Sequence, residues 1–178
     1  MSRDLDDLLA ELRTQAEQLL ANCAGRGYEM RPFFTLRTAE DQAKLWRQSR
    51  TSQEIDQRTQ ELEDGGAPYL ARIIRDVGPQ SGPKVTNAIP GLSWHQWGEA
   101  MDCFWVVDGG AEWSTRRKID GLNGYGVYAD EAEQLGLTAG GHWQSFKDWP
   151  HVQLRPEGSP ASLHSLEDID AEMARRFD

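Results

Sequence analysis

Residues 93–102 and 143–151 carry two of the four histidines, His95 and His151, and, besides Glu99, the carboxylates Asp102 and Asp148, set among Trp, Gly and Pro. Polar groups embedded in apolar, conformationally restricted sequence do not read as ordinary solvated residues. A catalytic zinc takes three protein ligands from His, Asp, Glu or Cys and leaves a fourth position to water. His95, Asp102 and His151 supply that set for one Zn2+. Water attacking a carbonyl needs a base to take its proton, and Asp148 is the candidate. The oxyanion formed by attack on an amide needs a positive partner besides the metal, and a guanidinium stays charged at every working pH. Arg37 is the candidate.

These residues need elements that hold them. Cys103, Phe104, Trp105, Val106 and Val107 form a strand-like run that begins at Asp102 and ends at the turn Asp108, Gly109, Gly110. Asp102 then starts a strand, with His95 on the loop leading into it. Pro150 biases Trp149 toward extended geometry, and His151, Val152, Gln153 and Leu154 alternate as a half-buried strand does. His151 and Gln153 therefore share a face. Two neighbouring antiparallel strands would bring His151 to Asp102 and leave Asp148 just ahead of the second strand. Residues 28–36 read as a strand that delivers Arg37, with Pro32 implying an edge or an irregularity. Thr38 followed by Asp41 opens a helix containing Ala39, Gln42, Ala43, Leu45 and Trp46.

Elsewhere Leu5, Leu8, Leu9, Leu12, Leu19, Leu20 and Cys23 recur at helical spacing, closed by Gly25 and Gly27. Residues 52–64 are a polar helical segment, interrupted at Gly65 and Gly66, and Pro68 opens a second amphipathic helix running to Gly78. Residues 114–120 read as helical; Gly121, Gly124 and Gly126 then break the chain, and residues 130–135 form a short helix stopped by Gly136. Gly140 and Gly141 turn into the second site segment. After a linker at 156–160, residues 165–177 form an acidic helix with Leu166, Ile169 and Met173 on one face.

At 178 residues the chain suits a single domain. The elements predict an α+β fold, a small antiparallel sheet with flanking helices. No run approaches the ~20 apolar residues of a membrane span. The N-terminus is acidic where a signal peptide is basic, so classical secretion is not encoded. Cys23 and Cys103 give neither a disulfide framework nor metal spacing and read as buried thiols. A formal net charge of −10 argues against nucleic acid and anionic membranes as partners.

Ser93-x-His95-x-x-Gly98-x-Ala100-x-Asp102, followed by Trp143-x-x-Phe146-x-Asp148-x-Pro150-His151, resembles the zinc peptidases of the group named for lysostaphin, the D-alanyl-D-alanine peptidases and sonic hedgehog. The match is nearest to the L-alanyl-D-glutamate peptidases of phage endolysins and their VanY-like relatives. It extends to 36–42, similar to that family's Arg-Thr-x-x-x-Gln segment, and to 85–88, and covers 28–154 with interruptions; four matches in order are far more specific than one. The resemblance implies a hedgehog/D-Ala-D-Ala peptidase-like fold, peptidoglycan stem peptides as substrate, ligands at His95, Asp102 and His151, and the base at Asp148. It implies a substrate or site contact at Gln42, with Ser93 as a further orienting group. His142 replaces the family's small acidic or polar residue, a departure that leaves a substrate contact or a surface histidine. On this reading the chain is one zinc peptidase domain, 1–178, with a core at 28–154, a helical insertion at 52–83 and a helical tail at 156–178, acting as a monomer. Without a signal peptide it would reach the cell wall by a holin-type pore or dedicated export, as an endolysin-like bacteriolytic enzyme or an exported effector.

Each residue alone has a plainer reading. His95 could be a satisfied core or surface histidine, Asp148 a turn residue before Pro150, and Arg37 a solvated charge before a helix. Two histidines and a carboxylate also form the facial triad of non-haem iron oxygenases. A D-alanyl-D-alanine carboxypeptidase, or a zinc-binding module without catalysis, would use the same fold.

Overall fold

The computed structural model describes residues 1–178, which divide into two compact units: Met1–Leu36 with Gly98–Pro156, and Arg37–Trp97 with Glu157–Asp178. The architecture is α+β, six helices with one antiparallel five-stranded sheet. No helix is long and apolar enough to cross a membrane.

The first unit contains the sheet, built from β1 (Met30–Phe34), β2 (Ala100–Val107), β3 (Gly110–Glu112), β4 (Thr138–Ala139) and β5 (His151–Gln153). The strand order is β1-β2-β5-β4, and β3 pairs with β2 as a hairpin. β1 lies at the edge that Pro32 requires, and its register shifts between Pro32 and Phe34. The hairpin turn uses Asp108 and Gly109, both at positive φ, the geometry whose twist matches the flanking strands. Along β2, Met101, Cys103 and Trp105 are buried against helices α1 (Ala10–Gly25) and α5 (Gly124–Gln134), together with Leu12, Leu19, Tyr128 and Val152. Asp102, Phe104 and Val106 alternate onto the opposite, half-buried face. Both cysteines are free and buried, which raises each thiol pKa, that of Cys23 to about 12. Neither is placed to act as a nucleophile.

Three expectations are corrected here. The first helix does not run from Leu5: Leu5–Asp7 is a separate 3₁₀ turn capped by Asp4, and Leu9 is extended, donating its N–H to the Gly98 carbonyl at 2.9 Å. Residues 114–120 are not helical. Ser114 Oγ accepts the N–H groups of Arg116 and Arg117, and the Asn123 amide donates to the carbonyls of Ser114 and Arg117. These side-chain bonds satisfy the backbone in a turn instead of a helix. Finally, α5 begins at Gly124, with Asn123 as its cap, and not at Asp130. Gly124 is there for close packing: a Cβ at this position would lie 2.4 Å from the Trp105 ring.

The second unit is helical: α2 (Ala39–Arg47), α3 (Ser52–Asp64), α4 (Pro68–Asp76) and α6 (Leu166–Phe177). Thr38 caps α2 by accepting the Asp41 N–H, and Thr51 with Glu54 forms a reciprocal capping box on α3. The two helices expected from residue 52 to residue 78 form as α3 and α4. Helix α3 packs on α4, and α4 packs on α2 and α6. The buried Asp170 of α6 accepts the N–H groups of Tyr69 and Leu70 at the start of α4, so α6 is tied to α4. A cavity of about 310 Å³ at α3 is lined by Trp46, Arg50, Glu54, Arg58, Glu61 and Lys84 among others.

Candidate metal centre and active site

Within the first unit, β2 and β5 pair with Asp102 directly opposite His151. Directly opposed residues stand ~4.5–5.5 Å apart. The Asp102 carboxylate and His151 Nδ1 are 2.9 Å apart, in a setting where the two side chains are only 16% and 10% exposed. The other ring nitrogen, Nε2, lies 3.0 Å from Gln153 Oε1. Gln153 cannot turn its amide around without loss, because its Nε2 already donates to the Arg155 carbonyl at 2.6 Å. Oε1 therefore faces the ring and accepts the Nε2 proton, which leaves Nδ1 directed at Asp102. Burial pulls the His151 pKa down, but the hydrogen bond and charge of Asp102, the charge of Asp148 and the Gln153 contact outweigh it, so the value sits above that of an ordinary histidine.

Asp148 sits in the turn ahead of β5. Its N–H donates to the Gly140 carbonyl at 3.0 Å, and its own carbonyl accepts the His151 N–H at 3.1 Å. A Cβ on Gly140 would meet the Asp148 carbonyl at 2.4 Å, so glycine is what lets this backbone approach. Trp143 lies against His151 with ring centroids 5.4 Å apart.

In the second unit, Arg37 is held by its own backbone and by a chain of amides. Its N–H donates to the His95 carbonyl at 3.3 Å, and its Nη1 donates to Gln42 Oε1 at 3.0 Å. Gln42 Nε2 donates to the Ala88 carbonyl at 2.7 Å, and Gln96 Nε2 reaches the same Gln42 oxygen at 3.3 Å. Gln96 closes the chain on Ser93, whose N–H donates to Gln96 Oε1 and whose carbonyl accepts the Gln96 N–H. His95 itself is buried, on the 3₁₀ turn Trp94–Gln96.

His95, Asp102 and His151 offer ligand atoms that all lie within 4.8 Å of one another, a group able to hold a metal ion. Two imidazoles and one carboxylate suit zinc, whose ligands stand ~2.0–2.2 Å from the metal, better than a hard cation that prefers all-oxygen coordination.

Gln42 and His142, which the sequence offered as site or substrate contacts, each have partners within their own unit. Gln42 is fully buried, and its amide is committed to Arg37 and Ala88, so it holds the arginine in place. His142 lies 2.8 Å from Glu133 and 3.5 Å from Asp130, so it is tied to the exposed acids of α5. Two residues that do position the site were passed over, Gln96 and Gln153. The alternation that put Gln153 on the face of His151 was the available signal; nothing local singles out Gln96.

An α+β chain with two buried histidines and a half-buried aspartate able to hold a metal ion has the make-up of a metal-dependent hydrolase, and family comparison places it among the peptidases. The chain belongs to the VanY family, described as D-alanyl-D-alanine carboxypeptidase, whose model matches residues 6–118, more than half of it. A second model with the same description matches residues 86–154. The chain is also similar to the peptidoglycan L-alanyl-D-glutamate endopeptidase CwlK of Bacillus subtilis (strain 168), 26% identical over 153 residues that cover 84% of this chain and 75% of CwlK.

Proposed function

We propose that the protein is a zinc-dependent peptidoglycan hydrolase that cuts stem peptides at the L-alanyl-D-glutamate bond. The observation that carries the metal assignment is the His95, Asp102, His151 group together with the Gln153 contact that turns the His151 Nδ1 lone pair toward it. A ligating histidine characteristically donates its other N–H to such an acceptor. Similarity to CwlK along most of the chain supports the choice of bond. The description of the matched family supports a second reading, removal of the terminal D-alanine.

Zinc bound there would act as a Lewis acid on the scissile carbonyl and make water a better nucleophile at neutral pH. The chain does the rest. Asp148 takes the proton of the attacking water and returns it to the leaving amine. Arg37, kept in place by Gln42, faces the negative charge that develops on the carbonyl oxygen. Ser93 orients the peptide. In this role the protein acts on the cell wall as an endolysin or an antibacterial effector.

Mass spectrometry of purified peptidoglycan digested with wild-type protein, and with Asp148→Ala alongside, decides between the bonds. New D-glutamate amino termini, absent with the variant, are the expected result. Free D-alanine in their place selects the carboxypeptidase reading, and intact material from a zinc-loaded protein overturns both.

A further inference from the structure

The half-buried face of the sheet does not end at Asp102. Phe104, two residues on, projects from the same face of β2, about 7 Å further along the strand. Phe34 of β1 is the register partner of Asp102 itself. Phe33 lies with its ring centroid 4.1 Å from Phe34, 6.4 Å from Phe104 and 5.0 Å from Trp113, and Trp113 lies 5.8 Å from Phe104. Trp113, just past β3, is 47% exposed. An indole that large is rarely left half in water, and with the half-buried Phe33 and Phe104 rings beside it Trp113 marks a binding surface.

We propose that Phe33, Phe104 and Trp113 form a platform for the sugar rings of the glycan strand that carries the stem peptide, an inference that rests on the peptidoglycan reading. Three observations select this occupant. The rings continue from the face that bears Asp102, so whatever they hold lies within a few residues' reach of the bond cut. A hexosamine presents a flat array of C–H groups on one face and polar groups at its edge. Aromatic faces take the first, and the Glu112–Arg117 pair beside Trp113 offers donors and acceptors to the second. The glycosidically linked sugar backbone is also the uncharged part of the polymer, which a chain of net charge −10 can grip without repulsion. The placement bears on specificity as well. L-alanine is the residue joined to the sugar, so a platform this close to Asp102 serves the L-alanyl-D-glutamate bond; a terminal D-alanyl-D-alanine bond lies several residues further from the strand, at up to ~3.3–3.6 Å per residue.

Peptide-free glycan strands are the probe, with binding measured by calorimetry. Wild type should bind, Trp113→Ala should bind at least ten-fold more weakly, and Trp113→Tyr should restore most of the affinity. Leu163→Ala, which removes an equally exposed apolar side chain elsewhere, should bind as wild type does. Unaltered binding by Trp113→Ala, or no binding by wild type, overturns the platform. So does sedimentation showing a wild-type dimer that Trp113→Ala makes monomeric while glycan binding is unchanged, since the rings would then hold a second copy. Cleavage of a sugar-free stem peptide is assayed separately. Glycan binding without cleavage removes the peptidase reading and leaves the platform standing; cleavage without glycan binding does the reverse.

Discussion

Gln153 and His151 are locked together across one strand: the amide nitrogen of Gln153 is spent on the Arg155 carbonyl, so its oxygen accepts from His151 Nε2 at 3.0 Å and the tautomer of the ring is set. Gln153→Leu removes that acceptor and should weaken zinc binding by about 10–100-fold. Gln153→Glu keeps an acceptor and should bind far better than Gln153→Leu. Competition with a coloured chelator measures both.

Protons and zinc compete for His151 Nδ1. Because its pKa in the metal-free protein is raised, zinc affinity should begin to fall at a higher pH than an ordinary histidine ligand would show, and should keep falling on acidification. The stability effect has the opposite sign. A raised folded pKa contributes stability that is fully present below the unfolded value, ~6.5, and is lost as pH rises through the folded one. The metal-free protein should thus gain stability on acidification through this window, and His151→Asn should abolish the gain. Thermal melts between pH 5 and 8, on the order of the ordinary histidine range, read it out.

Asp148→Ala should retain zinc and lose turnover. Loss of the metal with it would make Asp148 a ligand and overturn its assignment as base.

Arg37→Lys should retain zinc and lower kcat by more than ten-fold, since removing an oxyanion donor costs on the order of 3 kcal/mol. Gln42→Leu should lower kcat in the same direction while leaving the metal in place, because it releases the guanidinium without removing it. A near-wild-type rate for Arg37→Lys would return that residue to a surface charge.

Gly124→Ala tests packing against propensity. Alanine would favour α5 by about 1 kcal/mol as a helix former. The added Cβ would meet the Trp105 ring at 2.4 Å, and overpacking a core costs about 1–3 kcal/mol. The contact is against a rigid, fully buried indole, so the variant should be less stable by urea denaturation.

The local order of the chain could be read from residue types. Thr38 and Asp41, Thr51 and Glu54, and the alternation around Asp102 and His151 act within a few positions, so the caps of α2 and α3, both site strands and the set of candidate ligands were legible. Where glycine was read as a helix breaker the reading failed, because Gly124 is required by Trp105, nineteen residues earlier in the chain (124 − 105). What only the tertiary structure decided is which polar groups are spent on each other. Gln42, readable as a site or substrate contact, is buried and bonded to Arg37; His142 is held by Glu133; Gln153 sets a tautomer. Such assignments depend on hydrogen-bond partners that fold closure selects from distant segments, and short-range patterning carries no record of them.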